Sequence, residues 1–209
     1  MENYLTISSP SLDEFTEKKS RFIGTLVPCR SHDSAMEILD RVRKENFNAR
    51  HNVWAYILKD GTMRYSDDGE PQGTGGQPIL EVVKKSGLKD VICIVTRYFG
   101  GVLLGAGGLT RAYAKGASLA VKSAKIVEVS HVVKFSLEIG YNQYSTVERI
   151  LKEQYTLIEN SGFTDRVSML CVIRSEDFEN LEKTLTEAFS ATVTPVVISE
   201  GFMNMPTKA

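Results

Sequence analysis

The sequence predicts an α+β protein built from two consecutive domains. Strand-like runs alternate with amphipathic helical runs from residue 19 to residue 199. Two irregular glycine-rich stretches, residues 66–76 and 99–108, are confined to the first 130 residues. Beyond them the order becomes β-α-β-β-α-β, the ferredoxin-like split arrangement. Domains commonly run to about 100–150 residues, so residues 1–130 and 131–209 are expected to form separate cores.

In the first domain, residues 19–27 read as a strand with partial alternation and β-branched side chains. Ser34 and Glu37 have capping-box spacing, and Ile38, Leu39 and Val42 recur on one face of the helix that follows. Residues 52–58 form a strand apolar on both faces, with Val53, Ala55 and Ile57 on one and Trp54, Tyr56 and Leu58 on the other. Such a strand belongs inside a sheet. Asp60-Gly61 marks a hairpin turn, and Met63-Arg64-Tyr65 returns from it. Residues 66–76 are dense in helix and strand breakers and read as loop. Pro78 suits a first helical turn, and Ile79, Leu80, Val82 and Val83 mark a short amphipathic helix that stops at Gly87. Residues 91–96 are the strongest strand, again apolar on both faces. An alanine-rich helix from about residue 109 to residue 124 follows the second glycine-rich stretch.

In the second domain, residues 132–140 are a strand, and Tyr144, Val147, Ile150 and Leu151 mark a helix face. Residues 155–159 and 167–174 are strands joined through Ser161-Gly162. Phe178, Leu181, Leu185, Ala188 and Phe189 mark a second helix with Ser175 as N-cap, and residues 193–199 are a last strand. Residues 126–129 and 132–133 can form nearly continuous strand, so no flexible linker is expected between the domains.

Hydrophobic residues at 42% and charged residues at 24% suit a folded chain rather than a disordered one. No stretch approaches the ~20 apolar residues of a membrane span, and the N-terminus has neither a basic segment nor an apolar core. A cytoplasmic protein with no membrane partner is expected. Cys29, Cys93 and Cys171 are far apart, without the C-x-x-C spacing of zinc or redox sites. Cys93 and Cys171 lie in apolar runs and read as core residues. Net charge is −1, unevenly spread. Residues 1–130 hold 18 Lys/Arg against 15 Asp/Glu, and residues 131–209 hold 7 against 11. The first domain can therefore meet an anionic partner, and the acidic second domain can meet a protein.

Arg50, Arg64, Arg97 and Arg111 each sit beside a polar or glycine-rich element. Arg50-His51 precedes a strand, Arg97-Tyr98 ends one, and Thr110-Arg111 opens the last helix of the domain just after Gly107-Gly108. Glycine permits close backbone approach, and free N–H groups at a helix start favour an anion. Arginine adds a planar fork for phosphate or carboxylate. Arg50, His51, Arg64, Arg97, Tyr98, Gly107, Gly108, Thr110 and Arg111 together describe a phosphate or nucleic-acid site. Tyr65, Tyr98, Phe99 and Tyr113 interleave with it, as base-stacking rings or as core edges. The plainer alternative has the arginines solvated or paired with carboxylates.

Asp67, Asp68 and Glu70 form an acidic loop that fails EF-hand spacing. Two readings stand: a metal or acid–base cluster with His51, or an arginine-paired loop that fixes Arg50 or Arg64. A P-loop and Gly-x-Ser-x-Gly are absent, and the Gly105–Gly108 stretch lacks the third glycine of a dinucleotide fingerprint. No catalytic residue, metal or cofactor is therefore assigned.

Three stretches are specific as a set: Arg50-His51-Asn52-Val53-Trp54-Ala55-Tyr56, residues 65–80 around Ser66-Asp67-Asp68-Gly69-Glu70-Pro71-Gln72-Gly73-Thr74-Gly75-Gly76, and residues 95–113 from Val95-Thr96-Arg97-Tyr98-Phe99-Gly100-Gly101 to Gly107-Gly108-Leu109-Thr110-Arg111. Over residues 15–125 the chain resembles the IMPACT family, and its two-domain plan resembles the bacterial YigZ branch. The resemblance implies a first domain like domain 2 of ribosomal protein S5, a βαβ-rich sandwich. It implies a second domain like the last, ferredoxin-like domain of elongation factor G. Eukaryotic members restrain an amino-acid-starvation kinase by competing for its activator. They do so through an RWD domain with no counterpart in these 209 residues, so that role is not expected to carry over. The expected function is a non-catalytic RNA- or ribosome-associated regulator of translation. The alternatives are an enzyme acting on a phosphorylated small molecule through Asp67, Asp68, Glu70 and His51, and a protein-binding regulator.

Overall fold

A strand with apolar side chains on both faces needs a covering layer on each side, and Val91–Tyr98 has both. The computed structural model describes residues 3–208. In chain order the elements are β1 (Tyr4–Ile7), β2 (Ser11–Glu17), β3 (Ser20–Pro28), α1 (His32–Glu45), β4 (His51–Ile57), β5 (Met63–Ser66), α2 (Gly76–Ser86), β6 (Val91–Tyr98), α3 (Ala106–Ser123), β7 (Ile126–Ile139), α4 (Tyr141–Glu153), β8 (Leu157–Phe163), β9 (Val167–Arg174), α5 (Ser175–Phe189) and β10 (Val196–Pro206). They fall into two units, one of residues 4–128 and one that takes the chain from residue 129 onward.

In the first unit the sheet order is β2-β3-β6-β4-β5, with antiparallel neighbours. Side chains alternate along a strand. Val91, Cys93 and Val95 therefore join Phe22, Leu26, Val53 and Ala55 under α2 and α3, against Ile79, Val83, Ala112 and Ala117. Ile92 and Ile94 point the other way, with Val27 and Tyr56, onto Ala35, Leu39 and Val42 of α1. Helix α3 lies very close to the sheet. A Cβ at Gly24 on β3 would collide with the carbonyl oxygen of Gly116 on α3, and one at Gly116 would lie 2.9 Å from Val95 Cγ1.

In the second unit β7 pairs with β9 and with β10, and β9 pairs with β8. This is the ferredoxin-like strand order, so the α+β fold class agrees with expectation. Val133, Phe135 and Leu137 of β7 and Met169, Cys171 and Ile173 of β9 face Val147 and Leu151 of α4 and Leu181 and Leu185 of α5. Cys29, Cys93 and Cys171 are free thiols and buried. Among the described residues no helix is long and apolar enough to cross a membrane.

Several element ends differ from the sequence reading. Helix α1 is capped one turn earlier: Ser34 N donates to Ser31 Oγ at 3.1 Å, and Ser31 N donates to Ser34 Oγ at 3.2 Å. Ser34 is thus the reciprocal partner and not the cap. Helix α3 starts at Ala106, three residues before the expected start, behind Gly105 at φ 72°. Helix α5 has Arg174 as N-cap and Ser175 as its first residue, and β10 starts at Val196 and runs to Pro206. Strands β1 and β2 were not anticipated. Strand β2, Ser-Leu-Asp-Glu-Phe-Thr-Glu, is polar enough to read as loop, and it forms because an edge strand needs only its backbone and Phe15 to pair.

Gly24→Ala is expected to destabilise the protein by about 1–3 kcal/mol, because backbone opposes the new methyl group. Gly107→Ala, whose Cβ would meet only Arg111 Nη1 at 3.7 Å, is expected to be neutral or slightly stabilising. Urea-unfolding midpoints of the two variants check both. Residues 129–209 expressed alone are expected to give a cooperative unfolding transition by circular dichroism, and a featureless trace would show that this unit depends on the rest of the chain.

Candidate functional site

The site grows from one rung of the first sheet. Arg97 follows Val91, Cys93 and Val95 in alternation, so it points to the α3 side. The registers Phe22↔Arg97 and His51↔Arg97 place three side chains in a row across β3, β6 and β4. Arg97 has only 6% of its side chain exposed, and Glu70, brought in by the loop after β5, has 5%. Arg97 Nη1 lies 2.6 Å from Glu70 Oε1. Tyr113 OH, from α3, donates to the same oxygen at 2.7 Å, and His51 Nε2 lies 3.8 Å from it. Burial, reinforced by Glu70, holds the Tyr113 hydroxyl protonated far above its ordinary range. The guanidinium of Arg97 also lies 5.5 Å from the ring centres of both Phe22 and Phe99, a cation–π arrangement.

The other two acidic residues do different work. Asp67 accepts hydrogen bonds from the backbone N–H groups of Gly73 (2.8 Å), Gly75 (3.0 Å) and Gly76 (2.9 Å), which closes the loop and caps α2. Burial pushes its carboxyl up, but the three N–H donors outweigh burial and hold it below the usual carboxylate range. Asp68 accepts from Asn52 N at 2.7 Å and pairs with Arg43 at 2.6 Å. The loop is therefore arginine-paired, but through Arg43 and Arg97 and not through Arg50 or Arg64. The cluster of Asp67, Asp68, Glu70 and His51 does not converge as one acid–base group, since only Glu70 and His51 face each other. Among the described residues no group of His, Cys, Asp and Glu is arranged to hold a metal ion.

His51 Nδ1 lies 2.7 Å from the carbonyl oxygen of Asp68. A carbonyl only accepts, so Nδ1 donates to it, which fixes the ring with Nε2 toward Glu70.

Beside this cluster lies a cleft of about 420 Å³ lined by Arg50, His51, Glu70, Pro71, Arg97, Phe99, Leu103, Leu104, Gly105, Ala106 and Leu109. Arg50 is exposed at its mouth, 6.0 Å from the centre of the Phe99 ring. The α3 N-terminus forms one wall. Gly105, as N-cap, provides no side-chain hydrogen bond, so the first N–H groups of α3 have no partner within the helix. A second concavity of about 240 Å³ shares Leu104 and is lined by Phe15, Glu17, Lys18, Gly108, Arg111, Ala112 and Lys115.

Of the residues singled out in the sequence, Arg50, His51, Glu70 and Arg97 meet in the cleft. Gly108 and Arg111 line the adjoining concavity, with Gly107 in the same helical turn. Thr110 turns its hydroxyl back to Ala106 O at 3.1 Å. Arg64 and Tyr98 lie elsewhere. Arg64 pairs in register with Tyr56, which packs against α1, and Tyr98 OH donates to Asn46 Oδ1 at the end of α1. Strand alternation puts both on the opposite face of the sheet from Arg97. Residue reasoning missed Lys18, Lys115 and the anchoring of Glu70 by Tyr113. The Tyr113 signal was available: it shares the apolar face of α3 with Leu109, Ala112 and Ala117, where a buried hydroxyl needs a partner.

Residues 18–121 match the family model described as the Impact N-terminal domain, and residues 137–192 match a domain of unknown function. The chain is 34% identical over 189 residues to the IMPACT family member YvyE of Bacillus subtilis, covering 90% of this chain and 87% of that protein. It is 33% identical over 167 residues to the IMPACT family member YigZ of Escherichia coli, covering 78% and 82%. A crystal structure described as that of a hypothetical protein matches with TM-score 0.61 and 28% identity, covering 95% of this chain and 98% of that one.

Glu70→Gln is expected to cost about 3 kcal/mol or more, because it leaves the buried Arg97 charge uncompensated. The double variant Glu70→Gln/Arg97→Met is expected to be less destabilised than the two single changes added together. A double-mutant cycle in urea checks the coupling, and strict additivity would show that the two side chains do not act as a pair.

Proposed function

This chain belongs to the IMPACT family, and on that footing we propose that it is a non-catalytic regulator of translation that binds RNA through its first unit. The observation that carries the reading is the pair of adjoining concavities joined at Leu104. Exposed Arg50, Lys18, Arg111 and Lys115 and the uncapped start of α3 border them. Arg97 is neutralised by Glu70, so these outer cations are the ones free to meet phosphate. Spread along a surface and exposed, they suit a polyanion, whose binding releases counterions as phosphates are neutralised. The acidic second unit would then contact a protein partner.

One observation favours a second reading, an enzyme. His51 Nε2 lies 3.8 Å from a buried carboxylate oxygen of Glu70 inside a cleft. The lining of that cleft contains no hydroxyl, thiol or amine side chain, so His51 and Glu70 themselves would have to carry the chemistry.

Fluorescence anisotropy with a short single-stranded RNA tests the leading reading. Affinity is expected to fall with salt, with a log–log slope of about −0.7 for each phosphate contacted. The double change Arg50→Ala/Arg111→Ala is expected to flatten that slope by roughly one to two units. Absence of salt-sensitive binding at low ionic strength would remove RNA as the partner. Turnover of a small phosphorylated compound, lost in His51→Ala, would put the enzyme in its place.

A further inference from the structure

We propose that the cleft between Phe99 and the start of α3 binds a phosphate monoester, the terminal phosphate of an RNA strand. The inference rests on the RNA-binding reading and names the group that this cleft takes. Two independent features of its wall point to an anion. The first is the start of α3, a helix of 18 residues whose opening N–H groups have no side-chain cap, and whose N-cap Gly105 and first residue Ala106 line the cleft. The second is Arg97. Its Nη1 is taken by Glu70 at 2.6 Å, and its Nη2 reaches Ser20 Oγ only at 3.5 Å. Its Nε is buried and, among the described residues, has no hydrogen-bond partner. The side chain is more than nine-tenths shielded and lines the cleft. A buried N–H donor is rarely left without an acceptor, and an anionic oxygen in the cleft supplies one.

Charge decides between an end group and an internal phosphate. Arg97 and Glu70 cancel. Arg50 adds one positive charge and the helix start about half a charge more, with His51 left out of the count. An internal phosphodiester carries a single negative charge and leaves part of this excess unmatched. A phosphate monoester carries about −1.5 to −2 at pH 7 and matches it. It also presents three terminal oxygens, enough to meet Arg50, the Nε of Arg97 and the N–H groups of α3 together. Size agrees with charge. The cleft, at about 420 Å³, lies low in the range of about 300–1,000 Å³ typical of small-ligand sites, so it admits one end nucleotide and not a length of chain. Phe99, Leu103, Leu104 and Leu109 give that nucleotide an apolar wall, with the Phe99 ring to stack on. The phosphates that follow would pass Leu104 toward Lys18, Arg111 and Lys115.

The test compares nine-residue oligouridines phosphorylated at the 5′ or the 3′ end with an eleven-residue oligouridine that has hydroxyls at both ends and the same formal charge. At least one phosphorylated strand is expected to bind on the order of tenfold more tightly than the charge-matched strand, a preference that backbone charge alone cannot give. Ala106→Pro removes one N–H at the start of α3, at a position where proline fits a helix, and is expected to cut that preference several-fold. Should the variant fail to fold, the wild-type comparison decides by itself. Equal affinities of all three strands overturn this inference and leave the RNA reading standing. If no strand binds, both fall. Uridine 5′-monophosphate is measured in parallel: weak binding of the mononucleotide is the expected result, and binding as tight as that of the phosphorylated strand would assign the monoester to a free nucleotide and overturn the RNA source.

Discussion

A guanidinium sealed at the end of an apolar strand must be matched in charge, and the pairing of Arg97 with Glu70 organises the first unit around that need. Through it β6 is tied to the loop after β5, to α3 by way of Tyr113, to β4 by way of His51 and to β3 by way of Phe22. Such a pair adds little net stability over an apolar pair of similar shape, but breaking it is costly. Its value here is geometric. A loop rich in glycine has many backbone states, and one buried carboxylate, together with the Asp67 contacts to Gly73, Gly75 and Gly76, selects among them.

The second determinant is how closely α3 lies on the sheet. Gly24 and Gly116 leave no room for side chains between them, so the position of α3 is set by backbone against backbone. The start of the helix then falls beside the rung of Phe22, Arg97 and His51, and the cleft opens next to it. Its buried polar groups Arg97 and Glu70 are fixed by packed neighbours, although Glu70 arrives on a loop. The cations that border it, in contrast, are exposed.

Much of the fold was legible. Residues 91–96 and 52–58 announced internal strands by being apolar on both faces, and the β-α-β-β-α-β order was readable from the periodicity of the apolar residues. The family was legible too, because residues 50–56, 65–80 and 95–113 are distinctive as a set. Edge strand β2 was not, since its pairing is made by backbone groups that leave little trace in the side chains. The site was half legible. Residue type marked Arg50, His51, Glu70 and Arg97 as neighbours in chemistry, and the structure brings them together. Arg64 and Tyr98 looked equivalent in the sequence, yet alternation turns them away. Proximity to a strand end says nothing about which face a side chain takes until the register is known. Asp67 and Asp68 read as potential ligands because acidic side chains that accept backbone N–H groups have the same composition as those that bind metals.

The alternation of β6 constrains how this sequence can vary over time. A single residue gained or lost between Val91 and Arg97 would turn Arg97 onto the α1 side, and would exchange the two sets of apolar side chains as well. The defect would not stay local, because the displaced charge would enter one core while its abandoned carboxylate remained at the other. Changes of length should therefore be tolerated at turns such as Asp60-Gly61 and be selected against within this strand. Across descendants of this chain, the spacing from the first buried valine of β6 to its arginine should persist longer than the identity of the residues between them.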